Sequence, residues 1–151
     1  MHIKGINVLI TGGASGIGRI MGRICLEKGA SNLIVWDINQ ANIDKTEAEL
    51  SDAKPAEAGV SKGQIHSYIV NVSDPQAIKS AYEKVKSEVG EVDILVNCAG
   101  IVRGNNTFDK QTVQDIDLTM DINANALMYV ALAVLPDMLR RDRGHICNIA
   151  S

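Results

Sequence analysis

Thr11, Gly12, Gly16 and Gly18 lie in the segment Ile6-Asn7-Val8-Leu9-Ile10-Thr11-Gly12-Gly13-Ala14-Ser15-Gly16-Ile17-Gly18, where a short apolar run drops into a glycine loop that opens on a helical pattern. Strand, loop and helix in that order suit the holding of a dinucleotide. Gly12 takes the tight turn leaving the strand, Gly16 lets the backbone approach a pyrophosphate, and Gly18 lets the helix lie close to the sheet. Ala14, Ser15 and Ile17 complete the loop, so that free N–H groups and the positive end of the helix dipole face the phosphates. The bland alternative is a tight turn that binds nothing.

Asp37 follows Gly18 by 19 residues, at the end of Leu33-Ile34-Val35-Trp36-Asp37. A carboxylate there accepts hydrogen bonds from the ribose 2′-OH of NAD and repels the 2′-phosphate of NADP. No Arg or Lys stands among Ala14, Ser15, Ile38 or Asn39 to offset that repulsion, so NAD is the expected cofactor. The structural alternative is that Asp37 caps the next helix. Asn71 and Val72, ahead of Ser73-Asp74-Pro75, sit where an adenine edge reaches, with the Asn71 side chain placed to bond the adenine amino group. Asn97-Cys98-Ala99-Gly100 places small residues where a backbone runs against a cofactor.

Composition narrows the class of partner. The chain of 151 residues carries 15 basic and 18 acidic side chains, a net of −3, which argues against nucleic acid or an anionic membrane surface. A small-molecule partner fits better. Cys25, Cys98 and Cys147 are an odd number in apolar segments, read as small buried hydrophobes in a reducing compartment rather than as disulfides. His2, His66 and His145 stand alone, and no metal site is expected. The first strand starts close to Met1, and no apolar run reaches the roughly 18 residues of a membrane span. A soluble, cytoplasmic protein without a membrane anchor is therefore expected.

Strand and helix alternate along the chain without an internal repeat. Helices are expected over 16–28, 40–50, 75–89 and about 110–140, and strands over 6–10, 32–37, 65–70, 92–96 and 144–150. Residues 51–64 form a polar loop. Such units build an α/β, doubly wound parallel sheet in the order 3-2-1-4-5, with its ligand crevice at the carboxyl ends of strands one and four.

With these motifs the chain resembles the short-chain dehydrogenase/reductase family of Thr-Gly-x-x-x-Gly-x-Gly type, here Thr11 to Gly18. Asn97-Cys98-Ala99-Gly100 resembles the family's Asn-Asn-Ala-Gly, with Cys98 as a departure, and Asn71 stands where many members have Asp. The glycine spacing differs from that of epimerase-type relatives, which carry one residue fewer between the first two glycines. The resemblance implies that Asn123, in Met120-Asp121-Ile122-Asn123-Ala124, is the active-site Asn whose main chain helps hold a relay water. Its structural reading is a polar residue bulging a helix. It further implies that Ser151 is the catalytic Ser that bonds the substrate oxygen. The family's Tyr-x-x-x-Lys would follow beyond Ser151.

Tyr82 and Lys86 have that spacing, but they lie before the Asn-x-Ala-Gly segment and on the outer face rather than at the crevice, with Tyr82 in an apolar stripe beside Val85 and Val89, so they are not assigned to catalysis. The resemblance thus implies a Rossmann-type dinucleotide-binding domain over 1–151, lacking the later strands and helices of the family fold. The activity implied is NAD-dependent hydride transfer to or from a small-molecule alcohol or ketone, in a homodimer or homotetramer. The segments around Trp36, Ile101 and Asn123 are similar to the branch acting on retinol and hydroxysteroids, which suggests a lipophilic or secondary alcohol. The 151 residues alone are expected to be inactive, and the alternative is a non-catalytic NAD-binding module or a fragment completed by another chain. In such a fragment Leu127, Val130, Val134 and Leu135 are expected to form uncovered apolar surface.

Overall fold

The structure, a computed structural model, describes residues 2–103 and 107–149. Strands β1 (Asn7–Thr11), β2 (Asn32–Asp37), β3 (Gln64–Ile69), β4 (Ile94–Asn97) and β5 (His145–Asn148) form one parallel sheet in the order β3-β2-β1-β4-β5. The expected strand order is the observed one. Between the strands run α1 (Gly16–Glu27), α2 (Gln40–Leu50) and α3 (Pro75–Glu88). From β4 the chain passes a 3-10 turn (Phe108–Lys110) to α4 (Val113–Met120), a π-turn (Asp121–Asn125) and α5 (Ala126–Arg140).

Parallel strands covered on both faces have to be apolar on both. Leu9, Ile34, Trp36 and Leu95 face α3 and α5, packing with Ile78, Tyr82, Val85, Val130 and Val134. Val8, Ile10, Leu33, Val35 and Val96 face α1 and α2, packing with Leu26, Ile43 and Leu50. Because β1 and β4 are adjacent while their helices lie on opposite faces, a crevice opens at their carboxyl ends.

Local chemistry moves several boundaries. The last long helix begins at Val113 because Thr112 and Asp115 form a reciprocal capping box. Strand β4 starts two residues later than expected, after Val92 and Asp93. There the Asp93 N–H donates to the Asn7 carbonyl and the Asp93 carboxylate accepts the Asn7 N–H at 3.0 Å.

Two expectations are corrected. Val130 and Val134 are not uncovered surface but fully buried core, because Ala126, Val130, Val134 and Met138 recur every fourth residue and face the sheet and α3. The exposed stripe is Met128, Leu132, Leu135 and Leu139, while Leu127 is only partly exposed. The second correction concerns length: Val113–Arg140 is one continuous 28-residue helical stretch whose best window has a mean hydropathy of 1.5, long and apolar enough to cross a membrane. Contiguous apolar runs hide this, because Asp121, Asn123 and Asn125 interrupt the sequence without interrupting the helix.

Arg141, just past α5, fastens that helix to the foot of β4. Its guanidinium reaches Asp93 Oδ1 at 2.8 Å, the Val92 carbonyl at 2.6 Å and Glu91 Oε2 at 2.9 Å. Asp93 is 6% exposed, so the Asp93 carboxylate has little water to fall back on. Replacing Arg141 by Ala is expected to cost about 2 kcal/mol of stability in urea unfolding, the scale for charged hydrogen bonds, and a midpoint equal to that of the parent would show that Arg143, whose Nε lies 3.3 Å from Asp93 Oδ1, and the Asn7 N–H suffice for that carboxylate.

Candidate functional site

The crevice is organised by the junction of β1 and β4. Thr11 Oγ1 accepts the N–H groups of Cys98 at 3.1 Å and Ala99 at 3.2 Å, which welds the exits of the two strands together. Gly12 follows with φ +63°, and a Cβ on it would stand 2.8 Å from Ala99 Cα. No other residue type fits that approach. The Gly12 and Gly13 N–H groups both donate to the Trp36 carbonyl, tying the loop to β2 as well.

The loop's remaining donors can be counted. Ala14 N–H goes to Asp37 Oδ2 at 3.2 Å, Ala14 O accepts from Thr46 Oγ1 at 2.8 Å, and the Ala14 side chain is buried, so Ala14 serves the loop's shape. The Gly18 N–H lies against the Cys98 sulfur. That leaves the N–H groups of Ser15, Gly16 and Ile17 without a partner among the described residues. They head α1, where the helix dipole adds its positive end. Ser15 is the N-cap, yet its side chain makes no capping bond and is exposed. Gly16 has φ +48° and nothing within 4 Å of where a Cβ would lie, so its surface is open to a ligand. Gly18 lies against the Gly12 carbonyl, where a side chain could not stand.

Asp37 ends β2 beside this loop. Its Oδ1 accepts the Asn39 N–H at 3.1 Å and its Oδ2 the Ala14 N–H, leaving each oxygen a further lone pair. It does not cap α2; Asn39 does, accepting from the Asn42 N–H. Ile17 and Ile38, 59% and 66% exposed, rim the same end of the sheet. Asn71 Oδ1 takes both the N–H (3.1 Å) and hydroxyl (2.8 Å) of Ser73. The amide oxygen is thereby spent, and what Asn71 offers is Nδ2, a donor that suits a ring nitrogen rather than an amino group. Val72 is buried and lends only its backbone.

On the β4 side, Asn97 is 1% exposed and positions rather than contacts: its Nδ2 donates to Asn148 Oδ1 at 2.9 Å and to the Leu127 carbonyl at 3.3 Å. The Asn97 side-chain oxygen is buried without a partner among the described residues. Ala99 and Gly100 form the wall of the crevice, and a Cβ on Gly100 would press on Asn123 Oδ1 at 3.4 Å. Asn123 sits inside the π-turn, where the Ala126 N–H reaches back five residues to the Asp121 carbonyl. Its side chain grips Ile101 from both sides, Oδ1 accepting the Ile101 N–H and Nδ2 donating to the Ile101 carbonyl, each at 2.8 Å. The amide thus serves to hold the loop after β4, Oδ1 and Nδ2 each committing one of their two bonding positions to Ile101. The bulge shifts the hydrogen-bond register by one, which is how a helix frees a carbonyl. Ser151 lies outside the described residues.

The sequence of residues 6–151 matches the short chain dehydrogenase family. The chain belongs to that family. It is 38% identical over 149 residues to estradiol 17-beta-dehydrogenase 11 of Rattus norvegicus, covering 99% of this chain and 47% of the relative. With retinol dehydrogenase 10-B of Danio rerio it shares 33% identity over 162 residues, covering 99% of this chain and 47% of the relative. Among solved structures, a metagenomic short-chain oxidoreductase in complex with NADP superposes with a TM-score of 0.86 at 26% identity, covering all of this chain and 64% of that one. The chain spans about half the length of the curated relatives it matches.

Within this family frame, Tyr82 and Lys86 are a decoy. The Tyr82 hydroxyl donates to Asp137 Oδ2 at 3.0 Å, and Lys86 lies 5.2 Å from the Tyr82 ring centre and 3.5 Å from Asp137. Burial and then that hydrogen bond to Asp137 push the phenol well above its ordinary value, the opposite of what a base requires. Sequence reading did not assign roles to Thr11 or Asn148, whose signals are only a hydroxyl before a glycine turn and an amide in register with Asn97. Asn123→Ala should strip Ile101 of its amide partner and accelerate hydrogen exchange at that N–H while α1 stays protected; unchanged exchange would show that the loop holds its shape without Asn123.

Proposed function

We propose that these residues form the cofactor-binding half of an NAD(H)-dependent oxidoreductase that interconverts a lipophilic secondary alcohol and its ketone. The observation that carries the cofactor reading is the pairing of three unclaimed N–H groups, on Ser15, Gly16 and Ile17, with the half-committed carboxylate of Asp37. The first set suits a pyrophosphate and the second a ribose diol. Nearby unit charges repel by about 1 kcal/mol in water and about 4 kcal/mol at a protein surface, so a 2′-phosphate beside Asp37 costs at least a few-fold in affinity. Lys and Arg are absent from residues 11–18 and 37–39.

A bound nicotinamide supplies the hydride acceptor or donor. The protein's part is to hold and orient: Ser15, Gly16 and Ile17 bind phosphate, Asp37 binds ribose, and Asn71 Nδ2 meets the adenine ring edge. Val72 contributes backbone there, Ile38 covers the base, and Ala99 with Gly100 shapes the wall toward the reacting end. Asn123 fixes Ile101 with its side chain and offers its carbonyl to a relay water. Ser151 holds the substrate oxygen. The lipophilic substrate is supported by the names of the estradiol and retinol dehydrogenase relatives and by the strongly exposed Val102, Phe108 and Val113 beyond β4. Within residues 1–151 the only Tyr-x-x-x-Lys is Tyr82 with Lys86, so the 151 residues alone bind dinucleotide without turnover. An intact mass near 16.2 kDa in a catalytically active natural sample would overturn that last statement.

Titration calorimetry tests the cofactor reading. Asp37→Ala is expected to erase about tenfold of the preference for NAD over NADP, and an unchanged ratio removes Asp37 from selectivity. Gly16→Val forces a side chain into φ +48°, a strain of about 1–2 kcal/mol, and fills the open face of the loop. NAD binding should be lost while the circular dichroism spectrum persists; retained affinity refutes the loop assignment.

A further inference from the structure

Cys98 stands where the family pattern carries Asn, and the dinucleotide reading leaves its thiol unused. Strand register brings a second thiol to it. Cys147 on β5 is paired with Val96 on β4, and Cys98 lies two residues beyond Val96, so alternation puts both sulfurs on the same face of the sheet. Both are half-buried and pack against the core under α1. The third thiol, Cys25, is buried within α1. Cys98 also meets the cofactor loop directly: the Gly18 N–H lies against its sulfur, and its own N–H is held by Thr11.

We propose that Cys98 and Cys147 form a hydroperoxide-sensitive dithiol whose closure into a disulfide loosens the glycine loop and weakens dinucleotide binding, an inference that rests on the cofactor reading above. One strand spacing across and two residues along separate the Cα atoms by about 8 Å, whereas a disulfide needs them within about 7 Å. Closure must therefore draw Cys98 toward β5. The pull falls on the Thr11 bonds to Cys98 and Ala99, on the contact of Ala99 with Gly12, and on Gly18. Those are the contacts that hold the loop.

The chemistry balances with hydrogen peroxide as oxidant. The Cys98 thiolate attacks one peroxide oxygen, the O–O bond breaks, and with one proton taken up the products are a sulfenic acid and water. The Cys147 thiolate then attacks the sulfenic sulfur, forming the S–S bond and expelling a second water after protonation. Two thiols lose two electrons, and the peroxide gains them. Burial, followed by the neighbouring Cys147, raises the Cys98 thiol above its ordinary value even though the Gly18 N–H opposes this. Little thiolate stands at neutral pH, so the pair answers sustained exposure rather than a brief pulse.

The test uses the 151-residue chain, reduced or treated with hydrogen peroxide, with NAD as the probe and peptide mapping of the unreduced digest. Oxidation should produce a Cys98–Cys147 cross-link and weaken NAD binding about tenfold, the worth of one lost hydrogen bond to a charged group. Dithiothreitol should restore both. Cys147→Val and Cys147→Ser should bind NAD like the reduced parent and resist peroxide, and Cys25→Ser should remain sensitive. A cross-link without loss of affinity, loss of affinity in the Cys147 variants, or no cross-link at all overturns the proposal. Reduced protein that binds neither NAD nor NADP overturns the cofactor reading instead, and with it the effect on affinity.

Discussion

The hydroxyl of Thr11 is the fastening on which the crevice depends. Strands β1 and β4 are neighbours in the sheet, but their chains leave it toward opposite faces, so nothing in the ladder itself holds their exits together. A single side-chain oxygen taking two N–H groups, those of Cys98 and Ala99, closes that gap. It works only because Gly12 has no Cβ to keep Ala99 away. Hydroxyl and glycine are therefore one device: the first supplies the attraction and the second removes the repulsion. The approach of the glycine loop to the wall formed by Ala99 and Gly100 depends on both.

The amide side chains extend this fastening outward. Asn97 carries it from β4 to β5 through Asn148 and to the long helix through the Leu127 carbonyl. Asn123 carries it from the helix back to the loop after β4 through both faces of Ile101. A crevice lined by loops would otherwise be the least ordered part of the molecule. Here its walls are pinned by side chains rooted in strands and helices, which holds backbone groups in place without a large buried core behind them. The cost is visible in the buried oxygen of Asn97, which has no partner among the described residues.

Much of this was legible in the sequence, and the limits have physical causes. The strand order follows from alternating elements and right-handed crossovers, and the glycine loop from three glycines spaced for a turn, an approach and a packing contact. What one-dimensional pattern could not fix was the rotation of the last helix: Leu127, Val130, Val134 and Leu135 are equally apolar, and only the sheet and α3 decide that Val130 and Val134 face inward. Nor could it show which polar atoms are already spent. Asn71 reads as an adenine contact, but the Ser73 N–H and hydroxyl occupy the very oxygen that reading needs. Asn123 reads as holding a relay water through its main chain, and only the structure shows its side chain clamping Ile101.

Tyr82 and Lys86 show why spacing is not chemistry. On a helix, any Tyr and Lys four apart share a face, and the pair is close enough here for the ammonium to lie over the ring. Proximity alone would lower the phenol. Yet Asp137 stands between the two, accepting from the Tyr82 hydroxyl and pairing with Lys86. Burial pushes the Asp137 carboxyl up, but Tyr82, Lys86 and Arg140 outweigh it and hold the group below its ordinary range, so Asp137 stays charged. Burial, and then the hydrogen bond and negative charge of Asp137, raise the Tyr82 phenol, and the Arg141 guanidinium opposes them without reversing the shift. The same two residue types that make an acid–base pair in an open crevice make a structural strut when a carboxylate completes them.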